Sequence, residues 1–150
     1  MALPACHNLI QFNVRKLDDE LVLDCMFNQR SADVYLGTPY NISSYAILTH
    51  IFANILKYKV GDLIMNIGDA HLYSNHIDQA KEIIKRYYDA DVDHKQPVTL
   101  SFKPAFDVKT NSDFLRILDS LNYNQFTLHN YKPLSKLAAP LNTGLYTGWF

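Results

Sequence analysis

The sequence lacks the features that mark disulfide-rich, membrane-spanning and nucleic-acid-coating proteins. It has only two cysteines, Cys6 and Cys25, with no CxxC spacing, so we expect reduced thiols rather than a disulfide framework. Its net charge is −1 and its 14 basic residues are scattered, which argues against wholesale binding to a nucleic-acid backbone. No apolar run approaches the roughly 18 residues of a membrane span, and the N-terminus lacks the regions of a signal peptide. We therefore expect a cytoplasmic protein without a membrane or specific nucleic-acid partner.

Apolar residues, by contrast, are plentiful. They make up 48% of the 150 positions, which is enough for a packed core. A single domain of this length buries about 68–70% of the surface of its unfolded chain. Because there is no internal repeat, low-complexity run or linker, we expect one domain over residues 1–150.

Strand-like and helix-like segments follow one another in mixed order, which favours an α/β or mixed α+β fold with a mixed sheet packed against helices. The first two strands form a hairpin, and the longest helix is apolar on most sides and is expected to be mostly buried. Ser43 or Ser44 is expected to cap that helix, Gly61 to follow its end, and Ser112 to cap the last helix. We predict strands at 9–15, 20–28, 62–74, 98–104 and 126–131, and helices at 43–59, 76–88 and 112–120.

The run NQRSADVYLGTPYN, residues 28–41, is too rich in turn formers to be one long element. Its Arg30, followed by the hydroxyl of Ser31, suits a phosphate group, although an ordinary surface arginine paired with Asp33 is the alternative. A nucleophilic role for Cys6 would require a nearby cation, and Arg30 is the candidate. A direct Cys6–His7 dyad is awkward, because adjacent residues of an extended chain point to opposite faces. For Cys6 alone, a small buried residue is the simpler interpretation, and Cys25 is expected in the core.

The segment GDAHLYSNH, residues 68–76, places polar side chains at alternate positions. Asp69, His71 and Tyr73 are expected on one face of a strand, which is also the ordinary pattern of a half-exposed strand. A metal site built from Asp69, His71 and His76 is not favoured, because the spacing fits no tight ligand pattern.

Five segments, taken in order, resemble thymidylate synthase. They are Leu-Pro-x-Cys-His, Gln-Phe-x-Val, Gln-Arg-Ser-x-Asp, Leu-Gly-x-Pro-aromatic-Asn-Ile-x-Ser-Tyr and Gly-Asp-x-His-x-Tyr-x-Asn-His, at residues 3–7, 11–14, 29–33, 36–45 and 68–76. Each motif is weak alone, but the five in this order are very specific, and the resemblance covers residues 3–88. The segment 131–133 also resembles the closing segment of that family.

The resemblance implies a chemistry for these residues. In that family the cysteine of the Cys-His motif, here Cys6, adds to C6 of the uracil ring of dUMP. C5 then attacks the methylene group of methylenetetrahydrofolate, and loss of the C5 proton with hydride transfer from the folate gives dTMP and dihydrofolate. No metal is implied.

The resemblance also implies binding roles. Arg30 and Ser31 match phosphate-binding positions, and Asn41 matches the residue that binds the uracil edge, where an amide offers both a donor and an acceptor. Other matches are His71 and Tyr73 at the deoxyribose 3′-hydroxyl, His7 and Gln29 beside the nucleotide, and Asp33 and Gly37 on the folate side.

The chain begins where the second half of the family's chain begins, so the resemblance implies a fold that is incomplete at the N-terminal side. We therefore expect a poor enzyme on its own, with a homodimer or a separate N-terminal half as its partner. A non-catalytic half-domain is the alternative from another class. A dCMP hydroxymethylase is a further alternative, against which Asn41 argues because the amino group of cytosine would favour an Asp acceptor.

Overall fold

The computed structural model describes residues 5–89, 96–103 and 107–141. Its main sheet has three strands in the order β1-β2-β3, with β1 antiparallel and β3 parallel to the central strand. A parallel pair requires a crossover, and the helix α1 provides it. These elements are β1 (His7–Leu17), β2 (Glu20–Asp33), α1 (Gly37–Leu56) and β3 (Lys59–His71).

The rest of the described chain adds two helices and a small second sheet. Two antiparallel strands, β4 and β5, form that sheet, so the mixed α/β class predicted from the sequence is confirmed. The elements are α2 (Ile77–Asp89), β4 (Thr99–Phe102), α3 (Asn111–Ser120) and β5 (Phe126–His129), with 3-10 turns at Ser74–His76 and Tyr123–Gln125.

The predicted hairpin is confirmed and its turn has a clear cause. Asp18 and Asp19 connect β1 to β2, and their φ angles are 47° and 65°. Positive φ at both central residues is the signature of the tight turn that matches the twist of paired strands, and Asp tolerates it better than most residues. β1 and β2 both extend beyond their predicted limits, and β2 runs on to Asp33.

The predicted limits of the long helix are wrong at both ends. It begins at Gly37, because the Asp33 carboxylate accepts hydrogen bonds from the backbone N–H groups of Tyr35 (2.9 Å) and Leu36 (3.3 Å) and closes the preceding turn. Pro39 then fits the first turn, where its missing N–H costs nothing. Ser43 is therefore inside the helix, and its hydroxyl donates to the carbonyl of Pro39 rather than capping a terminus.

The same helix ends at Leu56, and Gly61 follows that end as expected but already lies in β3. Lys57 adopts a left-handed conformation, with φ of 59°, and its N–H donates to the last turn. Gly61 is needed for another reason: a Cβ there would lie 2.0 Å from an Asp24 carboxylate oxygen. Consequently β3 begins at Lys59, three residues before its predicted start, and ends at His71.

The cap predicted for the last helix is also wrong. Thr110, not Ser112, caps α3: its hydroxyl accepts from the N–H of Asp113, whose carboxylate accepts from the N–H of Thr110. This reciprocal pair is the capping box.

The core lies on both sides of α1. Phe12 contacts Phe52 with ring centroids 5.0 Å apart, and Phe27 stacks on Tyr45 at 3.9 Å, so one side of the helix faces the main sheet. Its other side contacts α3 and the small sheet through a cluster around Ile51, Ile55 and Ile117, which contains Phe102, Phe114 and Phe126. The expectation of a mostly buried α1 is wrong. Only four of its 20 residues are buried, and four large apolar side chains remain exposed: the buried ones are Thr49, Ile51, Ala53 and Ile55, and the exposed ones are Tyr40, Ile42, Ile47 and Leu56.

Some predictions fall outside the described residues. They are Leu3 and Pro4 of the first motif, residues 90–95 of a predicted polar loop, residue 104 at the end of a predicted strand, and residues 142–150 of the tail. Among the helices that the structure does describe, none is long and apolar enough to cross a membrane.

Candidate active site

The end of β2 gathers most of the predicted site residues. Gln29 is paired with His7 on β1, while Ser31 is paired with Asp69 and Asp33 with His71 on β3. Directly after β2 the chain turns into α1, which carries Gly37 and Asn41 in its first two turns. Site residues of both neighbouring strands and of the helix that follows therefore lie close to the end of the central strand.

The four residues His7, Gln29, Asn41 and Tyr45 form one hydrogen-bonded network. The side-chain NH2 of Gln29 lies 3.2 Å from His7 Nε2 and 3.1 Å from Asn41 Oδ1. Since an amide NH2 only donates, His7 Nε2 accepts, and the neutral ring carries its proton on Nδ1. That Nδ1 lies 2.9 Å from the hydroxyl of Tyr45, to which it donates.

The network determines what Asn41 presents. Its Oδ1 accepts from Gln29. Among the residues that the structure describes, the second lone pair of that oxygen and both hydrogens of its NH2 group remain for other partners. Gln29 is buried, yet its Oε1 has no hydrogen-bond partner within the described part of the chain. A buried carbonyl oxygen without a donor is costly, so Gln29 Oε1 is an acceptor that remains available to a donor.

Tyr45 was not identified as a site residue from the sequence, where helical spacing indicated only a core position. The structure adds its hydroxyl to the network and packs its ring between His7 and Phe27, with centroid distances of 5.5 Å and 3.9 Å. The only available signal was its place in the fourth motif.

Cys6 lies half-exposed beside the first residue of β1. Its carbonyl accepts from the N–H of Arg30 at 2.9 Å, and the guanidinium Nε of Arg30 donates to the carbonyl of Ala5 at 3.3 Å. Arg30 is therefore bonded to the backbone of Ala5 and Cys6, and its electrostatic role toward the thiol stays a prediction. Both ring nitrogens of His7 are engaged elsewhere, which agrees with the argument against a Cys6–His7 dyad.

Cys25 differs from Cys6 in every relevant respect. It is completely buried in β2 and faces α1. Burial raises the pKa of its thiol, although a hydrogen bond with Thr49 acts in the opposite direction. A buried thiol with a raised pKa is unreactive, so Cys25 belongs to the core, as predicted.

The ends of β2 and β3 form a second polar cluster. The Ser31 hydroxyl donates to Asp69 Oδ2 at 3.2 Å, and His71 Nδ1 lies 3.2 Å from that same oxygen. Tyr73 packs edge-on against the His71 ring, with centroids 4.9 Å apart. The structure therefore brings Ser31 together with His71 and Tyr73, whereas the hydrogen bonds described for Arg30 are to the backbone of Ala5 and Cys6.

A cavity of about 550 Å³ lies beside the turn that follows β2, and neither Asp33 nor Gly37 is among the residues that line it. One Asp33 oxygen accepts from Tyr35 and Leu36, and these two residues also line the cavity together with Pro39, Tyr40, Tyr131 and Leu137. A Cβ at Gly37 would meet only ordinary contacts at 3.7 Å. In the described parts of the chain no three His, Cys, Asp or Glu side chains are grouped so that they could hold a metal ion.

Comparison with known proteins gives one consistent result. The family model described as Thymidylate synthase matches residues 1–143. Proteins named thymidylate synthase from Listeria monocytogenes serotype 4a and Listeria innocua serovar 6a are each 43% identical over 143 residues, which is 95% of this chain and 39% of theirs. The crystal structure of thymidylate synthase from T4 phage superposes with a TM-score of 0.75 at 35% identity, covering 94% of this chain and 47% of that one. The chain thus spans less than half the length of these relatives.

Proposed function

Because the chain belongs to the thymidylate synthase family and has its fold, we propose that it takes part in the reductive methylation of dUMP to dTMP, with methylenetetrahydrofolate as co-substrate. The observation that carries this proposal is the convergence of Cys6, Arg30, Gln29 and Asn41 at one end of β2. At this strand end Arg30 is bonded to the backbone of Ala5 and Cys6, and the adjacent Gln29 is bonded to His7 and Asn41.

Cys6 is the proposed nucleophile. Its thiolate adds to C6 of the uracil ring, and the electron pair of the C5–C6 double bond moves to C5 and the adjacent carbonyl. Arg30 supports the thiolate electrostatically, because its guanidinium is held against the backbone next to Cys6. When bound, the folate supplies the one-carbon unit and the hydride that reduces it.

Gln29 and Asn41 are the residues that we propose to bind the uracil ring. The Asn41 amide keeps donor and acceptor capacity for O4 and N3–H, and its orientation is fixed by Gln29. The partnerless Oε1 of Gln29 supports this role, since it leaves a buried acceptor beside the place where the ring would lie.

The remaining groups fit the rest of the two substrates. Arg30 and Ser31 suit the phosphate, and His71 and Tyr73 suit the 3′-hydroxyl, in line with the clustering of Ser31 and His71 at the strand ends. On the folate side, the cavity lined by Leu36 and Tyr40 offers a flat apolar wall close to the carboxylate of Asp33, which accepts N–H donors.

We also propose that the site is completed by a partner, either a second copy of this chain or a separate N-terminal half. The face of the main sheet turned away from α1 supports this, because Leu9 and Ile64 are about half exposed there. A second apolar groove of about 590 Å³ lies between α1 and the small sheet, lined by Ile47, Ile51 and Leu128 among others. Without a partner the chain is expected to bind nucleotide and to turn over slowly.

The decisive measurement is tritium release from 5-tritiated dUMP in the presence of methylenetetrahydrofolate. We expect Cys6→Ser to reduce release at least about a hundredfold, since the addition step would be lost. Cys25→Ser is the control and should leave any release unchanged if the protein folds. Release that is independent of Cys6 would contradict the proposal.

Thermal stabilisation by dUMP separates the two candidate functions. A ligand of the native state must stabilise it, by about 2.7 kcal/mol at a hundredfold excess over the dissociation constant. Stabilisation by dUMP without tritium release would mean that this chain binds the nucleotide but is a non-catalytic half-domain. No stabilisation at high dUMP would exclude a retained site.

A further inference from the structure

His76 is completely buried, although a histidine ring carries two polar nitrogens that need partners. It closes the 3-10 turn Ser74–His76 between β3 and α2. Its ring packs against Tyr35 and Tyr73, with centroid distances of 5.3 Å and 5.7 Å. The function proposed above gives this residue no task.

The two ring nitrogens of His76 face two different parts of the site. Nε2 lies 2.8 Å from the carbonyl oxygen of Pro140, and a carbonyl only accepts, so Nε2 carries a proton and donates it. Nδ1 has no hydrogen-bond partner among residues 5–89, 96–103 and 107–141. The group opposite Nδ1 is the Asp33 carboxylate, with Oδ2 at 4.0 Å. The ring therefore stands between the C-terminal segment and the end of β2.

Tyr35 makes a parallel connection. Its hydroxyl donates to the carbonyl of Leu137 at 3.3 Å, and its backbone N–H donates to Asp33 Oδ1 at 2.9 Å. The rings of His76 and Tyr35 thus hold two carbonyls of the segment 137–141. The Asp33 carboxylate lies 4.0 Å from the His76 ring and accepts from the backbone N–H of Tyr35. Tyr35 and Leu137 also line the 550 Å³ cavity, so the held segment forms part of its wall.

We infer that His76 is a positioning residue. Together with Tyr35 it fixes the position of the segment 137–141, which lines the cavity, relative to the carboxylate of Asp33. The inference rests on the proposed function for the identity of the ligand, which is the folate. His76 acts through Pro140 and Asp33, and its loss therefore weakens folate binding more than dUMP binding.

Two variants of His76 separate packing from hydrogen bonding. His76→Phe keeps a flat ring between Tyr35 and Tyr73 but leaves the Pro140 carbonyl without its donor. His76→Gln keeps an NH2 group near the position of Nε2 and is the rescue variant. His50→Gln is the matched control, because His50 lies on α1 and is only partly buried.

The first readout needs no ligand. Hydrogen exchange of the backbone amides in residues 137–141 should become about tenfold faster in His76→Phe, the effect of losing one buried hydrogen bond, and stay near wild type in His76→Gln and His50→Gln. Unchanged exchange in His76→Phe would overturn the inference, because the ring would then only fill space.

The second readout is the dissociation constant for methylenetetrahydrofolate in the presence of dUMP, compared with that for dUMP alone. We expect His76→Phe and Tyr35→Phe each to weaken folate binding about tenfold, with the double variant little worse than either and dUMP binding within about threefold. Equal losses for both ligands, or faster exchange with unchanged folate binding, would overturn the positioning role. If the wild-type chain binds neither ligand, the proposed function fails, while the exchange experiment still decides whether His76 holds the segment.

Discussion

Two residues of the same type can lie in very different surroundings in this molecule, and their chemical reactivity differs accordingly. The two cysteines show it most clearly. Cys6 is half exposed and its backbone is bound to Arg30, whereas Cys25 is enclosed between β2 and α1. The same thiol is therefore a candidate nucleophile at one position and an inert part of the core at the other.

Asp24 is a nearly buried carboxylate of β2 that is held by two hydrogen bonds. It accepts from Arg15 Nε at 2.7 Å and from the backbone N–H of Asp62 at 2.8 Å. The hydrogen bond from Arg15, followed by that from Asp62, lowers the pKa of its carboxyl. A lowered pKa in the folded state means that the charged form stabilises the fold above the ordinary Asp value, and that this contribution disappears as the pH falls through the folded pKa.

We therefore expect Asp24→Asn to lower the free energy of unfolding at pH 7, and the difference from wild type to shrink below about pH 4. Urea unfolding at several pH values tests this. Asp119→Asn on α3 is the control, since Asp119 is exposed. A difference between Asp24→Asn and wild type that stays constant from pH 7 to pH 3 would refute the assignment.

Site residues could be predicted from the sequence where they belong to a recognisable motif. They were harder to predict where their role depends on a contact made in the folded chain. The motifs drew attention to Cys6, Arg30 and Asn41, and the structure brings these together at one strand end; their roles remain proposals. Tyr45 and His76 belonged to the same motifs, but their importance depends on hydrogen bonds to residues 38 and 64 positions away. Such partners are set by the fold, so local sequence does not reveal them.

At the scale of elements, periodic segments were predicted correctly and their ends were not. The type of every predicted strand and helix agrees with the structure, but α1 begins six residues earlier than expected. The cause is the turn closed by Asp33, the last residue of β2, whose side chain accepts from the N–H groups of Tyr35 and Leu36 just before α1 begins. Hydrophobic periodicity contains no information about such a side-chain hydrogen bond. The same limitation explains why Thr110 was overlooked in favour of Ser112.

The cap of α3 gives a prediction at this scale. Thr110→Ala should lower the free energy of unfolding by about 1 kcal/mol, because it removes an N-cap hydrogen bond. It should also raise the pKa of Asp113, which the Thr110 hydroxyl, and then Arg116, hold below its ordinary value. Denaturant unfolding and an NMR titration measure the two effects. Ser112→Ala is the control and is expected to change stability by less than about 0.5 kcal/mol; an equal loss in both variants would count against Thr110 as the cap.

The molecule as a whole leaves much apolar surface in contact with water. Leu9 and Ile64 lie on the side of the sheet away from α1, and the groove beside Ile47 and Leu128 is open. Contiguous exposed apolar surface of this kind usually marks an interface. The length of the relatives, of which this chain covers 39%, is consistent with further polypeptide packing on such surfaces in those proteins.

We expect the isolated chain to self-associate through the open face of the sheet. Ile64→Lys should weaken this association about tenfold or more, because a charge would be buried in an apolar contact. Light scattering over a range of concentrations measures it. Leu115→Lys, on an exposed part of α3, is the control and should associate like the wild type. A wild-type chain that is a monodisperse monomer would show that the face needs no partner.

The parallel pairing of β2 with β3 gives the site an order of assembly during synthesis. The hairpin of β1 and β2 contains His7, Gln29 and Arg30, with Cys6 directly before it, so the contacts among these residues need no residue beyond position 33. The contact between Ser31 and Asp69 spans 38 positions and must wait until α1 has crossed the sheet. A nascent chain can therefore complete the contacts around His7 and Gln29 before it can form the contact between Ser31 and Asp69.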